Sequence, residues 1–177
     1  LQSGARDLVF RELLALLTEK EQKVLRLLSG FRIPVLRLAL EMQGVEEGPL
    51  DDMLQRLEEL TLIEQENQLG DNLIYYYVPP LTQNYLQSQN LSSDLDREQA
   101  GAYHEHADKE INDQNLQDLE EAFFHYLKTD NKEKVNETGE KLNRIYYEMQ
   151  LFQRSFEIGQ VVYQVCREES SFHVINL

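Results

Sequence analysis

Cysteine is nearly missing from this sequence. Cys166 stands alone, so no disulfide can close within the chain. A lone thiol fits a reducing compartment, and a cytoplasmic location is expected. Long apolar runs are missing too: no stretch approaches the ~18–20 residues that a spanning helix needs. The opening residues Leu1 to Arg6 lack the long apolar segment that follows the basic patch of a signal peptide. No membrane partner is expected. Positive charge is scarce, with 17 lysines and arginines against 32 aspartates and glutamates and a formal net charge of −15. Such a chain repels nucleic acid and anionic lipid at long range. Finally, no Gly-x-x-x-x-Gly-Lys-Ser/Thr phosphate loop occurs. ATP hydrolysis by these residues is therefore not expected, and the chain reads as non-catalytic.

What is present is helical spacing. At 177 residues, 28% charged and 41% hydrophobic, the composition suits a folded soluble chain of one domain or two small ones. Leu8, Leu13, Leu14, Leu16 and Leu17 form an apolar stripe in the first segment. Thr18 to Glu21 reads as a capping box that starts a new helix, and Ser29-Gly30 ends it. Pro34 is placed where the next helix would begin, running through Met42 to Gly44. Gly48-Pro49 opens another, with Leu50, Met53, Leu54, Leu57 and Leu60 on one face. The period then changes. Residues 62–66 and 73–78 read as two strands around a turn-rich loop at 67–72. Three helices followed by a hairpin is the order of a winged-helix domain.

Pro79-Pro80 ends the second strand and starts a further helix. Ser88 to Ser93 is the candidate linker. Beyond it, helices are predicted over 94–112, 116–128, 132–149 and 152–166. Connections as short as Thr129-Asp130-Asn131 imply antiparallel hairpins. Gly139 and Gly159 lie inside these helices, at a cost of ~1 kcal/mol each unless a neighbour needs the space. The expected fold is mainly α: a winged-helix domain at 1–90, then a TPR-like α-solenoid region at 91–177.

The order of motifs resembles a known family. Leu17-Thr18-x-x-Glu21, continuing through Leu25, Leu28, Ser29, Phe31, Arg32 and Pro34, is similar to the entry of the winged-helix domain in STAND-class signalling ATPases. These are the NB-ARC and apoptosome-ATPase relatives common in bacteria. Leu54-x-x-Leu57-x-x-Leu60-Thr61-Leu62-Ile63-Glu64 resembles the family's third helix entering the first wing strand. Tyr76-Tyr77-Val78-Pro79-Pro80-Leu81 resembles its strand-to-helix motif. Ala100-x-x-Tyr103-His104-x-x-Ala107 and Glu121 to Leu127 are similar to the first helices of its repeat region. Tyr146-Tyr147-Glu148-Met149-x-x-Phe152-x-x-Ser155-Phe156 has the spacing of a TPR inter-helix turn. The resemblance implies a regulatory region between a nucleotide-binding domain and a C-terminal sensor. Its implied partners are proteins, including an upstream nucleotide-binding domain, and no cofactor is implied. Many family members carry a phosphate-contacting histidine in the strand-to-helix motif. Pro79 stands there in this chain and offers neither charge nor donor.

His104 and His106 lie two apart and point to different sides of a helix. They are expected to hold no metal together and to sit on a solvated face, with His104 near enough to pair with Asp108. His125 reads as packed or interfacial, and Cys166 as core beside Val162 and Tyr163. The adjacent acids Asp51-Asp52, Glu58-Glu59 and Glu120-Glu121 read as solvated. A winged-helix transcription regulator with a TPR-like effector-binding region is the alternative function. Its reading helix would expose Asp51, Asp52, Gln55, Arg56, Glu58 and Glu59, one positive charge against four negative, which opposes DNA. Protein binding fits better. The residues expected to carry it are Tyr75, Tyr77, Tyr103, His125, Tyr147 and Phe152. No catalytic, cofactor or metal residue is assigned.

Overall fold

The computed structural model describes residues 2–45, 47–67, 73–89, 94–110 and 116–167. Among them the chain is mainly helical, with one small antiparallel sheet. It divides into two units, Leu1–Asp96 and Arg97–Leu177. The expected boundary lay at 90/91, and residues 90–93 of the candidate linker lie outside the described residues.

The first unit opens with α1 (Gln2–Ala15) and α2 (Glu19–Ser29). The capping box is present in full. Glu21 N–H donates to Thr18 Oγ1 at 3.3 Å, and Thr18 N–H donates to Glu21 Oε2 at 2.6 Å, which satisfies two backbone donors that a helix start leaves over. The apolar residues of α2 recur at helical spacing, so Val24, Leu25 and Leu28 are all buried. Where a helix was expected from Pro34, the chain instead forms β1 (Val35–Leu36) and only then a five-residue helix, α3 (Leu38–Met42). The reason is long-range. Val35 is buried and pairs with Tyr76, a partner that local spacing does not announce. Then come α4 (Glu47–Glu59), β2 (Glu64–Asn67), β3 (Ile74–Tyr77) and α5 (Pro80–Ser88). β3 lies between the other two strands, with Glu64 opposite Tyr77 and Leu36 opposite Tyr75. Leu50, Leu54 and Leu57 bury one face of α4 beside α2. The ring of Phe10 stacks on Tyr85 at 4.8 Å, and the Gln83 amide donates to the carbonyls of Ser29 and Phe31. These contacts fix α1 and α5 to the same core.

The second unit contains most of α6 (Asp94–Glu110), then α7 (Leu116–Tyr126), α8 (Lys132–Glu148) and α9 (Phe152–Cys166). Contacts across neighbours run in opposite chain directions. Cys166 meets Lys132 and Gly159 lies near Asn143, while Tyr146 reaches Glu120 and Lys134 lies near Tyr126. The helices are therefore antiparallel neighbours, as their short connections predict. A Cβ on Gly139 would stand 2.3 Å from Val162 and 3.0 Å from Phe123, so this glycine lets α8 and α9 close. Gly159 has no such neighbour: its nearest contact, Asn143 at 3.7 Å, is ordinary.

Three helices end on the same device. Residue Gly44, Thr61 or Gln150 takes positive φ, at 73°, 56° and 61°. The following N–H then returns to a carbonyl five residues back, as in Leu62 to Leu57 and Leu151 to Tyr146. Glycine suits that backbone, whereas threonine and glutamine carry strain there.

Candidate functional site

Two regions of the second unit concentrate candidate functional side chains. The first is a groove of about 610 Å³ lined by Asn143, Tyr147, Phe152, Ser155, Phe156, Gly159, Gln160 and Tyr163. Helical spacing on α9 puts Phe152, Phe156, Gly159 and Tyr163 on one side, and Tyr147 projects from the end of α8 beside them. Their exposure is large for aromatics: 65% for Tyr147, 57% for Phe152, 60% for Phe156 and 53% for Tyr163. Tyr147 and Phe152 meet edge to face at 5.5 Å. The Ser155 hydroxyl donates to the Asn143 side chain and pins the floor. Apolar rings gathered around a concavity are the usual means by which a protein surface binds another.

The second is a buried polar cluster between α6 and α7. His104, Glu105, Asp118, Glu121 and His125 all lie inside the unit. His104 Nδ1 is 2.7 Å from Asp118 Oδ1, and the rings of His104 and His125 run almost parallel at 5.6 Å. The donor atoms of His104, Glu121 and His125 lie within 4.8 Å of one another. Gly101 makes the approach of the helices close, since a Cβ there would meet the Tyr126 ring at 2.7 Å. Beside it, Glu105 accepts from the Tyr126 hydroxyl at 2.9 Å and from Lys134 at 3.0 Å, with Lys141 at 3.7 Å. Burial and then the Glu105 charge push the Tyr126 phenol well above its ordinary range. Burial, reinforced by the hydroxyl's bond to Glu120, does the same to Tyr146. Lys134 and Lys141 hold Glu137 below the usual carboxylate range.

The predicted contact residues separate accordingly. Tyr147 and Phe152 come together on the exposed groove. Tyr77 is half-buried on β3, and its hydroxyl donates to Glu64. Tyr75, Tyr103 and His125 are buried by their own unit and present no surface to a partner. Periodicity placed them on helix and strand faces without saying which face turns inward. His104 is also no solvated residue. It is fully buried, with Asp118 on the next helix 2.7 Å from its Nδ1, while the side chain of Asp108 lies outside the described residues. Glu121, expected to be solvated with Glu120, is buried while Glu120 is exposed. The i, i+4 spacing of Glu121 and His125 is the signal that places both on one face of α7. Phe156 and Tyr163 were missed as surface residues because aromatic spacing on a helix ordinarily means core. Cys166 is half-buried, its thiol directed to the Lys132 carbonyl at 3.7 Å.

On α4 the outward side chains are acidic. Asp51, Asp52, Gln55 and Glu59 are exposed, and Glu58 is partly so. Arg56, the one cation of that face, lies 3.2 Å from the carboxylate of Glu21. No helix among the described residues is long and apolar enough to cross a membrane. The chain matches no protein-family model, no curated protein and no solved structure.

Proposed function

We propose that this chain is a non-catalytic regulatory and protein-interaction region of a STAND-type signalling ATPase, acting in the cytoplasm. In this reading the first unit is a winged helix that relays the state of an upstream nucleotide-binding domain. The second is the start of a TPR-like helical sensor. The observation that carries it is the exposed aromatic groove on α8 and α9, a surface shaped for protein rather than for a charged ligand. The sheet order β1-β3-β2, with α3 and α4 between the first two strands, supports the winged-helix reading. Pro79 caps the start of α5 without a side-chain hydrogen bond, so the phosphate contact typical of the family is not carried over.

A transcription regulator ranks second. The winged-helix order favours it, but the acidic outer face of α4 opposes it, because duplex binding needs several cations to displace counterions. Two assays on the purified chain test the proposal. Neither ATP turnover nor tight nucleotide binding is expected, and either one would overturn the reading. Salt-dependent binding of duplex DNA at low ionic strength would transfer support to the regulator.

A further inference from the structure

We propose that His104, Glu121 and His125 form a binding site for one divalent transition-metal ion of the zinc type. Glu121 and His125 are one helical turn apart on α7, so they share a face, and His104 comes from the antiparallel helix α6. All three are more than nine-tenths buried, and their donor atoms lie within 4.8 Å of one another. A tetrahedral zinc site with bonds near 2.0 Å places its donors ~3.3 Å apart. Closure therefore asks for about 1.5 Å at most, well within the reach of side-chain torsions.

The chemistry of the donors selects the ion. Two imidazoles and one carboxylate suit zinc and its neighbours, whereas calcium and magnesium require oxygen donors. The surroundings supply a feature that a chance cluster lacks. Asp118 Oδ1 engages His104 Nδ1 at 2.7 Å, which orients the ring so that Nε2 is the coordinating nitrogen. A carboxylate behind a metal-bound histidine is the common second support of such sites. The charge also balances: the carboxylates of Asp118 and Glu121 together match one dication. His106, two residues from His104, lies outside the cluster and is half-buried.

The test uses the untagged, chelator-stripped chain titrated with zinc chloride by calorimetry. Cobalt(II) absorption serves as a spectroscopic report of nitrogen and oxygen ligation. One ion per chain is expected, with a rise in the melting temperature. Asp118→Asn should weaken binding about 10–100-fold, and Glu121→Gln should weaken it at least as much. His106→Ala should leave it unchanged. His125→Ala should abolish it; should that variant fail to fold by circular dichroism, the near-isosteric Glu121→Gln and Asp118→Asn decide the matter. The proposal is overturned by a folded, metal-free chain that takes up no zinc. It is equally overturned if Glu121→Gln binds as the parent does, or if His106→Ala is the change that removes binding.

Discussion

The two units reach stability by different means. The first buries chiefly aliphatic side chains: Leu25, Leu28, Leu40, Leu50, Leu57, Leu62 and Ile63 are all essentially inaccessible, with Glu21, Ser29, Gln43 and Thr82 as its buried polar groups. The pairs of Arg37 with Glu41 and Asp51 sit at the rim, while Arg56 reaches the buried Glu21. The second unit has an apolar cluster too, from Leu119 through Phe123 to Leu142, but it threads a buried polar layer through it. His104, Glu105, Asp118, Glu121, His125 and Thr138 are buried there. Aliphatic burial is non-directional and tolerates rearrangement. A buried polar layer does not, since each group requires its partner. The first unit can thus repack locally, whereas the second must keep its geometry.

Substitutions sharpen that comparison. Leu57→Ala in the first unit should cost about 2–5 kcal/mol by chemical denaturation, because it opens a cavity in a filled core. Glu105→Gln in the second should cost about 1.5–3 kcal/mol. The lower part of that range is expected, since Lys134 and Lys141 are about a third exposed and water screens them. If the two units melt separately, each variant should lower only its own transition. A loss from Glu105→Gln as large as that from Leu57→Ala would erase the distinction. Gly139→Ala should cost about 1–3 kcal/mol by overpacking against Val162, while Gly159→Ala, which would meet only an ordinary contact with Asn143, should be neutral or stabilising.

High pH should act more strongly on the second unit, although burial of Tyr76 and the bond of Tyr77 to Glu64 also raise two phenols of the first. The phenols of Tyr126 and Tyr146 are raised above their ordinary value of 10.0 when folded. The unfolded chain loses these protons first, so the stability they contribute is fully present below pH 10 and is lost as pH rises above it. Melting temperature against pH should fall more steeply there for the second unit, and Tyr126→Phe should flatten the slope. The smallest effect concerns helix ends. Gln150→Gly should stabilise by up to about 1 kcal/mol in thermal melts, because glycine accepts the positive φ without strain.

The same difference decides what was legible in the sequence. Leucine spacing in α2 and α4 announces both the helices and the faces they bury, and Thr18 with Glu21 marks a helix start that the structure reproduces atom by atom. The strand at Val35 was not legible, since it exists only by pairing with Tyr76, far along the chain. In the second unit the helices α6 to α9 follow from period, but the polar layer does not. His104 meets Asp118 and His125 across two helices, and no local pattern states which faces of α6 and α7 turn together. The groove was half legible. Tyr147 and Phe152 were expected at a surface, while Phe156 and Tyr163 were hidden by the habit of reading helical aromatics as core.

The exposed aromatic groove and the acidic first unit are proposed to serve a signalling ATPase whose catalytic part is encoded upstream. The most direct measurement is to read the coding sequence preceding Leu1. A Gly-x-x-x-x-Gly-Lys-Ser/Thr loop followed by a metal-binding acidic strand is expected in the same reading frame. A stop codon directly upstream, or a preceding domain with neither feature, would contradict it.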